Sequence, residues 1–302
     1  MALPANAHGR TQATAQNTVP NVYNDQSDRF LYESVKLQRM AWDQSSRILG
    51  KPGKSIDLYK DTQFSVSALT EGTDTPLSAL TYENEQLVIA WYGDAKMISK
   101  ETLSEEFEFV FGESLNPSAA GAMGENRDVQ ILLEFANTTT AAVYPINTGI
   151  TRFDEDDITA TAVFTEEQLS EAMRTMRLAH RKPKWLVFHP NQMKAVRDSD
   201  KFQSNESYNE DVLRKGIIGT IFGIEVVEHA SVQSFAAGAA DAVTVYQAYA
   251  VAEKSFVYAQ KVSPVMEFDE ETKRSRTVTF HYYEAFGVKN FHDAGIVPII
   301  SA

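Results

Sequence analysis

The sequence contains no cysteine among its 302 residues. This absence excludes disulfide bonds, zinc–thiolate sites, iron–sulfur clusters and a cysteine nucleophile. Basic residues are also in the minority, since 28 lysines and arginines stand against 41 aspartates and glutamates, for a formal net charge of −13. A surface that binds nucleic acid through phosphate contacts is basic, so the charge argues against that function.

Targeting and membrane signals are missing as well. The N-terminus has no basic start followed by an apolar run, and the longest mildly apolar stretch, 235–252, is interrupted by Asp241 and Gln247. We therefore expect neither a secretory signal nor a membrane-spanning helix, and we expect folding in a reducing cytoplasm. The length suggests two domains or one elaborate domain.

The N-terminal part of the sequence predicts segments that need a partner surface. Its first ~28 residues, rich in Ala, Asn, Gln and Thr, are expected to form an arm that lies on another surface or stays mobile. Helical spacing predicts a helix from about Asp28 to Leu49. Two strand patterns follow, Ser55–Leu69 and Leu87–Tyr92, separated by turn-forming residues. A long hairpin is marginally stable alone, so neighbouring surfaces must support it.

Two further helices have clear start signals. Asn116 and Pro117 suit the cap and first position of a long helix that continues to about Asn137. Thr165 and Gln168 have the spacing of a capping box at the start of a second helix.

The second half is dominated by predicted strands, with one short helix after His189-Pro190-Asn191. The strand patterns are a buried run at 185–188, a strand–turn–strand at 217–227, further strands within 242–258, a hairpin with a charged tip at 266–280, and a short strand at 296–300. Without a sustained βαβ rhythm, the mixture predicts an α+β fold.

Motifs for catalysis are missing. Gly53-Lys54-Ser55 lacks the preceding glycine of a phosphate-binding loop, and the histidines lack metal-binding spacing. His189 could face a site, although a hydrogen-bonding role in its loop is favoured. Trp91-Tyr92 and Tyr282-Tyr283 have no basic neighbours, which favours a core or interface role over base stacking. We predict no catalytic, cofactor-binding or metal-binding residues, and no enzyme.

The order of these parts resembles that of tailed-bacteriophage major capsid proteins. Three segments are similar in detail: Tyr92–Met97 at the foot of the hairpin, Leu186–Gln192 before the short helix, and Gly219–Val226 after a polar loop. The resemblance implies a fold of the HK-ninety-seven type. Its four parts would be an N-terminal arm at 1–50, an extended hairpin loop at 51–95, a peripheral domain with a long spine helix at 96–160 and 262–302, and an axial domain at 161–261.

The same resemblance implies hexamers and pentamers that close into an icosahedral shell around double-stranded DNA. It places the protein in the virion capsid, assembled in the host bacterial cytoplasm, with no membrane partner. A portal and a separate scaffolding protein are the expected partners, because the arm is too short for an internal scaffolding segment. DNA would be enclosed without sequence-specific binding, which suits an acidic wall.

The hairpin tip is the predicted intersubunit contact, comprising Thr70, Glu71, Gly72, Thr73, Asp74 and Thr75. A covalent cross-link through the hairpin lysines, Lys51, Lys54 or Lys60, is not expected. Two alternatives stay open from the sequence: an encapsulin-type shell of a cellular compartment, and a soluble enzyme with an unrecognised site.

Overall fold

The computed structural model describes residues 36–61, 68, 82–99, 116–143, 164–197, 217–221, 223–237, 243–271 and 277–301. The strands of its first half are β1 (Trp42–Asp43), β2 (Ser55–Asp61), β3 (Tyr82–Val88), β4 (Ala90–Ser99) and β5 (Pro183–Phe188). Those of its second half are β6 (Ile217–Ile221), β7 (Ile224–Glu228), β8 (Ser234–Ala237), β9 (Val243–Ala252), β10 (Phe256–Glu271), β11 (Thr277–Asn290) and β12 (Ile296–Ser301). The helices are α1 (Asn116–Ala136), α2 (Glu166–Leu178) and α3 (Pro190–Arg197).

A four-stranded sheet is built on the long antiparallel pair β10 and β11, in the order β1-β10-β11-β4. The predicted hairpin at 266–280 is confirmed, but its strands extend much further, to Phe256 and Asn290. The register of this long pair is irregular between Gln260 and Val265, as at a β-bulge. The charged tip, 272–276, lies outside the described residues.

A six-stranded sheet contains β5 to β9 and β12, in the order β12-β9-β5-β7-β6 with β8 also paired to β9, and β2 pairs with β3 in a separate two-stranded sheet. The predicted buried run at 185–188 is confirmed as β5, which lies between β9 and a parallel β7. Helices α2 and α3 pack on one of its faces and α1 packs on the other, which explains why its apolar residues are continuous instead of alternating. Gly223, with φ +76°, supplies the turn between β6 and β7 that the sequence predicts.

Helix α1 spans both sheets. In its first half, Ala119 and Met123 pack against Phe280 and Tyr282 of the four-stranded sheet. In its second half, Ile131, Leu132 and Phe135 are buried against the six-stranded sheet and the start of β10. The predicted start and end of this helix are confirmed to within one residue.

Helix α2 begins with the capping box that the sequence predicts. Thr165 Oγ1 accepts a hydrogen bond from the backbone of Gln168, and the Gln168 side chain accepts one from the backbone of Thr165. Gln168 also donates to the carbonyl of Ile300 at 2.8 Å, so the cap joins α2 to β12. The apolar face of α2, which includes Leu169 and Met176, packs on the six-stranded sheet.

The helix predicted from Asp28 to Leu49 is wrong for its described part, 36–49. These residues form single helical turns at Gln38–Met40 and Ser45–Arg47, separated by β1. Some of their backbone groups bond within these short turns, and others bind partners that are distant in the chain. The Asp128 carboxylate accepts from the N–H groups of Lys36 and Leu37, and Gln44 N donates to the Tyr258 carbonyl. Tertiary hydrogen bonds here override the helical spacing of the apolar residues.

Candidate assembly surfaces

Strands β2 and β3 form an antiparallel hairpin with one buried face. Ile56 lies opposite Leu87, and both are buried together with Leu58. This inner hairpin face packs on Val257, Ala259 and neighbouring residues of the four-stranded sheet. The predicted strand alternation is therefore confirmed for 55–61, and the four-stranded sheet supplies part of the support that the hairpin needs.

The other side of the hairpin is exposed and partly apolar. Tyr59 and Tyr82 are each 59% exposed, and Val88 is 58% exposed. We call these three residues the outer hairpin face. Exposed side chains of this size are common singly, but three on one strand pair mark a surface suited to a protein partner.

A second exposed apolar surface lies on the four-stranded sheet. Trp91 is 61% exposed, and its ring lies 5.8 Å from that of Tyr283 on the neighbouring strand. Gly93 lets the neighbouring strand approach closely, since a Cβ at Gly93 would come within 2.5 Å of the Tyr282 carbonyl oxygen and 2.9 Å of Tyr283 Cβ. The open sheet face consists of Trp91, Gly93, Ala95, Val265, Glu267, His281 and Tyr283, which the strand register places on one side.

One acidic residue, Glu267, accompanies the aromatic rings on this face. The Tyr283 hydroxyl donates to Glu267 Oε1, and this hydrogen bond raises the pKa of Tyr283. The carboxylate fixes the orientation of the exposed phenol ring. The open sheet face therefore presents two ordered aromatic rings beside negative charge.

The two aromatic dipeptides each place one ring on the core and one on the surface. Tyr92 stacks on Phe286 at 4.5 Å and donates to Gln130 of α1, and burial raises its pKa. Tyr282 is buried beneath α1, whereas Trp91 and Tyr283 face the other side of the sheet. Because side chains alternate along a strand, the predicted core role is confirmed for Tyr92 and Tyr282, and the interface role stays a prediction for Trp91 and Tyr283.

A cleft of about 370 Å³ lies between β4 and the first half of α1. Small and apolar side chains of the helix form one wall, including Ala119, Ala122 and Met123. Asp94 and Lys96, an exposed ion pair at 2.9 Å, lie on the opposite wall. In the described strand order β4 is an edge strand, so its outer side is placed to pair with an added strand.

The predicted contact residues, 70–75, lie outside the described residues, between the ends of β2 and β3. Their role stays a prediction. Tyr59 and Tyr82 were not among the predicted contact residues, although the strand pattern carries a signal for them. In a strand with alternating burial, residues that flank Leu58 and Leu87 at odd spacing must face outward.

His189 has the hydrogen-bonding role that the sequence favours. Its Nδ1 accepts from the backbone of Asn191 at 3.1 Å, and its ring stacks on Tyr246 at 4.0 Å. Burial lowers the pKa of this imidazole. Gln192 extends the same contacts by donating to the Tyr246 carbonyl and to Ser301. These residues fasten the end of β5 and the start of α3 to β9 and β12.

Within the described ranges, no group of three or more acidic or histidine side chains is arranged to hold a metal ion. None of the described helices is long and apolar enough to cross a membrane.

Comparison with known proteins identifies the family. The family model for phage capsid protein matches residues 84–299, which is more than two thirds of the chain. No curated protein matches the sequence.

Solved structures share the fold at low sequence identity. The capsid asymmetric unit of cyanophage Pam1 is 13% identical with a TM-score of 0.64, covering 91% of both chains. The acid-stable capsid structure of Helicobacter pylori bacteriophage KHP30 is 12% identical with a TM-score of 0.62, covering 100% of this chain and 99% of that one. The capsid structure of cyanophage P-SCSP1u is 11% identical with a TM-score of 0.65, covering 90% and 89%. With the family match over 84–299, this α+β chain belongs to the phage capsid protein family.

Proposed function

We propose that this chain is the major capsid protein of a tailed phage, which assembles as hexamers and pentamers into an icosahedral shell around double-stranded DNA. The observation that carries the proposal is the family match over residues 84–299. The outer hairpin face and the open sheet face support it, because both are exposed apolar surfaces on one subunit. The proposed role is structural and requires no cofactor.

The proposed division into four parts follows the order of the chain. Residues 1–50 would form the arm and 51–95 the extended loop, while 96–160 with 262–302 would form the peripheral domain and 161–261 the axial domain. In this division the hairpin β2–β3 would belong to the extended loop, and α1 would be the spine helix of the peripheral domain. Strand β12 pairs with β9 and so ties the C-terminal part to the axial segment.

The proposed partners are copies of the same chain, a separate scaffolding protein and a portal. The hairpin tip, 70–75, is the proposed contact with a neighbouring copy. The net charge of −13 supports a wall that encloses DNA without binding it tightly, since phosphate contacts need a basic surface. Assembly would take place in the host cytoplasm before the shell becomes part of the virion.

Negative-stain microscopy of the full-length protein tests this function. Expression alone and with the scaffolding protein is expected to give closed shells, or hexamer-sized rings and tubes. Shells isolated from infected cells are expected to contain double-stranded DNA that resists added nuclease. A monodisperse monomer or dimer under both expression conditions would contradict the proposal.

A further inference from the structure

Helix α2 ends in a Schellman motif, a turn that satisfies the last carbonyl groups of a helix. Arg181 N donates to the carbonyl of Met176 at 2.8 Å, and His180 N donates to that of Arg177 at 3.0 Å. His180 has φ +56°, in the left-handed region. The motif favours glycine at the left-handed position and an apolar residue at the next position. In this chain the two positions hold a histidine and an arginine.

The residues at this end of α2 therefore differ from those that would stabilise the turn best. A side chain in the left-handed conformation costs free energy that glycine avoids. Departures from local preference concentrate at functional sites, where a second requirement overrides stability. The side chains present here share positive charge, which points to an electrostatic role.

Most of the cations at this helix end have no acidic partner. Four of the chain's 28 lysines and arginines lie within 177–184, and no acidic residue does. Nearby cations are paired, since Arg174 binds Glu171 and Lys184 lies 3.6 Å from Glu253. Within the described part of the chain, three cations make no ion pair or side-chain hydrogen bond: Arg177, Arg181 and Lys182.

Unpaired cations in one place are unexpected in this chain, because its formal net charge is −13. The helix dipole favours a cation in the last turn of a helix, and Arg177 lies there. Arg181 and Lys182 follow the end of the helix, where the effect of the dipole falls off. Most of this positive charge is therefore left for a partner outside the subunit.

An exposed leucine lies between these cations in the chain. Leu178, the last residue of α2, is 67% exposed, the highest value for a large apolar side chain among the described residues. Cations alone suit any polyanion, whereas an apolar side chain contributes free energy only when a partner covers it. The combination favours an acidic protein segment with an apolar side chain over nucleic acid. We call Arg177, Leu178, His180, Arg181 and Lys182 the basic patch.

The size of the basic patch favours a short segment over a folded surface. It comprises only five residues, whereas a stable interface between folded proteins uses about 20–30 residues on each side. The patch is therefore too small to hold a face of a second copy by itself. A short acidic segment needs only a few arginines and lysines, which donate charge-assisted hydrogen bonds to its carboxylates.

We propose that the basic patch binds a short acidic segment of a different protein. Carboxylates of the segment contact Arg177, Arg181 and Lys182, and an apolar side chain of the segment packs on Leu178. Exposed ion pairs are individually weak and are screened by salt, so binding is reversible and weakens as the salt concentration rises. This partner site goes beyond the proposed capsid function and does not depend on it.

Fluorescence anisotropy with the full-length protein tests the site. The probe is a fluorescein-labelled peptide with one leucine between two runs of five glutamates. Two comparison probes are the same peptide with serine in place of leucine and a single-stranded oligonucleotide of equal charge. We expect the leucine peptide to bind about fivefold more tightly than the serine peptide, because the leucine covers Leu178. Equal binding of the oligonucleotide would overturn the proposal, since the patch would then attract any polyanion.

Charge removal locates the binding. The test variant combines Arg177→Gln, Arg181→Gln and Lys182→Gln. The matched control loses the same charge at three exposed cations elsewhere, through Lys51→Gln, Lys54→Gln and Lys194→Gln. We expect the test variant to bind the leucine peptide about tenfold more weakly and the control to stay within about twofold of the unmodified chain. Equal losses would show that net charge attracts the peptide, and would overturn the proposal.

A second variant separates binding from packing. His180→Gly with Arg181→Leu restores the residues that the turn favours, so we expect a higher midpoint of thermal unfolding together with weaker binding of the leucine peptide. A purely structural role of these two residues would instead lower the midpoint. Unchanged peptide affinity in this variant and in the test variant would overturn the proposal.

Microscopy of the test variant identifies the source of the segment. Shells, rings or tubes as abundant as those of the unmodified chain would support a different protein as the partner. Their loss in the folded test variant alone would place a second copy of the chain on the basic patch and overturn the proposal. If the unmodified chain does not assemble, the capsid function is contradicted, while selective binding of the leucine peptide still supports the site.

Discussion

At the residue scale, Gly287 determines how closely the hairpin approaches the four-stranded sheet. A Cβ at this position would overlap the carbonyl of Val88 and come within 2.9 Å of Leu87 Cδ2. We predict that Gly287→Ala destabilises the protein by about 2–3 kcal/mol, because backbone on both sides must shift. Denaturant unfolding measures the change.

Gly50→Ala is the control for Gly287. No atom lies within 4 Å of a Cβ at Gly50, but its φ of +68° is unfavourable for alanine. The expected loss is about 1 kcal/mol, from backbone strain alone. Equal losses at the two positions would contradict the packing explanation for Gly287.

A second residue-scale prediction concerns His292 and pH. Burial, followed by the charges of Arg181 and Lys60, lowers the pKa of His292 to about 4. The unfolded imidazole titrates near its ordinary value of about 6.5, so between these two values the unfolded chain binds more protons. The contribution of neutral His292 to stability is therefore complete above about pH 6.5 and is lost as the pH falls toward 4.

Between about pH 7 and pH 4.5, we predict that the free energy of unfolding falls less for His292→Gln than for the unmodified chain, by on the order of 1 kcal/mol. This difference is smaller than the full pKa shift implies, because the His292 ring is only partly buried and solvent screens its charge. Urea unfolding at several pH values measures both proteins, and the comparison removes the contribution of the carboxylates. Parallel pH dependences would show that His292 does not cause the difference.

At the element scale, the N-terminus of α2 has one residue with two roles. Thr165 only caps the helix, whereas Gln168 completes the capping box and donates to Ile300 on β12. We predict that Thr165→Ala costs about 1 kcal/mol and Gln168→Ala about 2 kcal/mol, because the second change also leaves a buried carbonyl without its partner. Thermal unfolding followed by circular dichroism ranks the variants. The reverse ranking would mean that the bond to Ile300 contributes little.

At the scale of the whole molecule, substitution of Trp91 is expected to affect assembly much more than the folding of the subunit. Because the Trp91 side chain is largely exposed, Trp91→Ala is expected to lower the free energy of unfolding of the subunit by less than about 1 kcal/mol. A buried aromatic residue at an interface contributes far more, so we predict at least a tenfold loss of assembled protein in sedimentation velocity. Trp91→Phe is expected to retain assembly. Normal assembly of Trp91→Ala would exclude this part of the open sheet face as a contact.

Helix starts and strand patterns could be predicted from the sequence where the local signal agrees with the contacts that the residues make in the folded protein. The capping box at Thr165, the alternating residues of β2 and the cap at Asn116 are such cases. The segment 36–49 was mispredicted because its partners, Asp128 and Tyr258, are remote in the chain. The hydrogen bond from Ser255 Oγ to the Gly295 carbonyl has no local signal in the sequence, and neither does the ion pair of Arg127 with Glu284.

Contacts between early and late residues also determine how long the hairpin strands wait, during synthesis, for the sheet on which they pack. Gln260 donates to Ser45 across 215 residues of chain, and the inner hairpin face packs on the same region of β10. At about 5–20 residues per second, the ribosome makes this region roughly 10–40 s after the hairpin strands have begun to emerge. During that interval Ile56 and Leu58 have no sheet to cover them, so a high concentration of nascent chains at high expression favours aggregation, and low expression favours recovery of folded subunits.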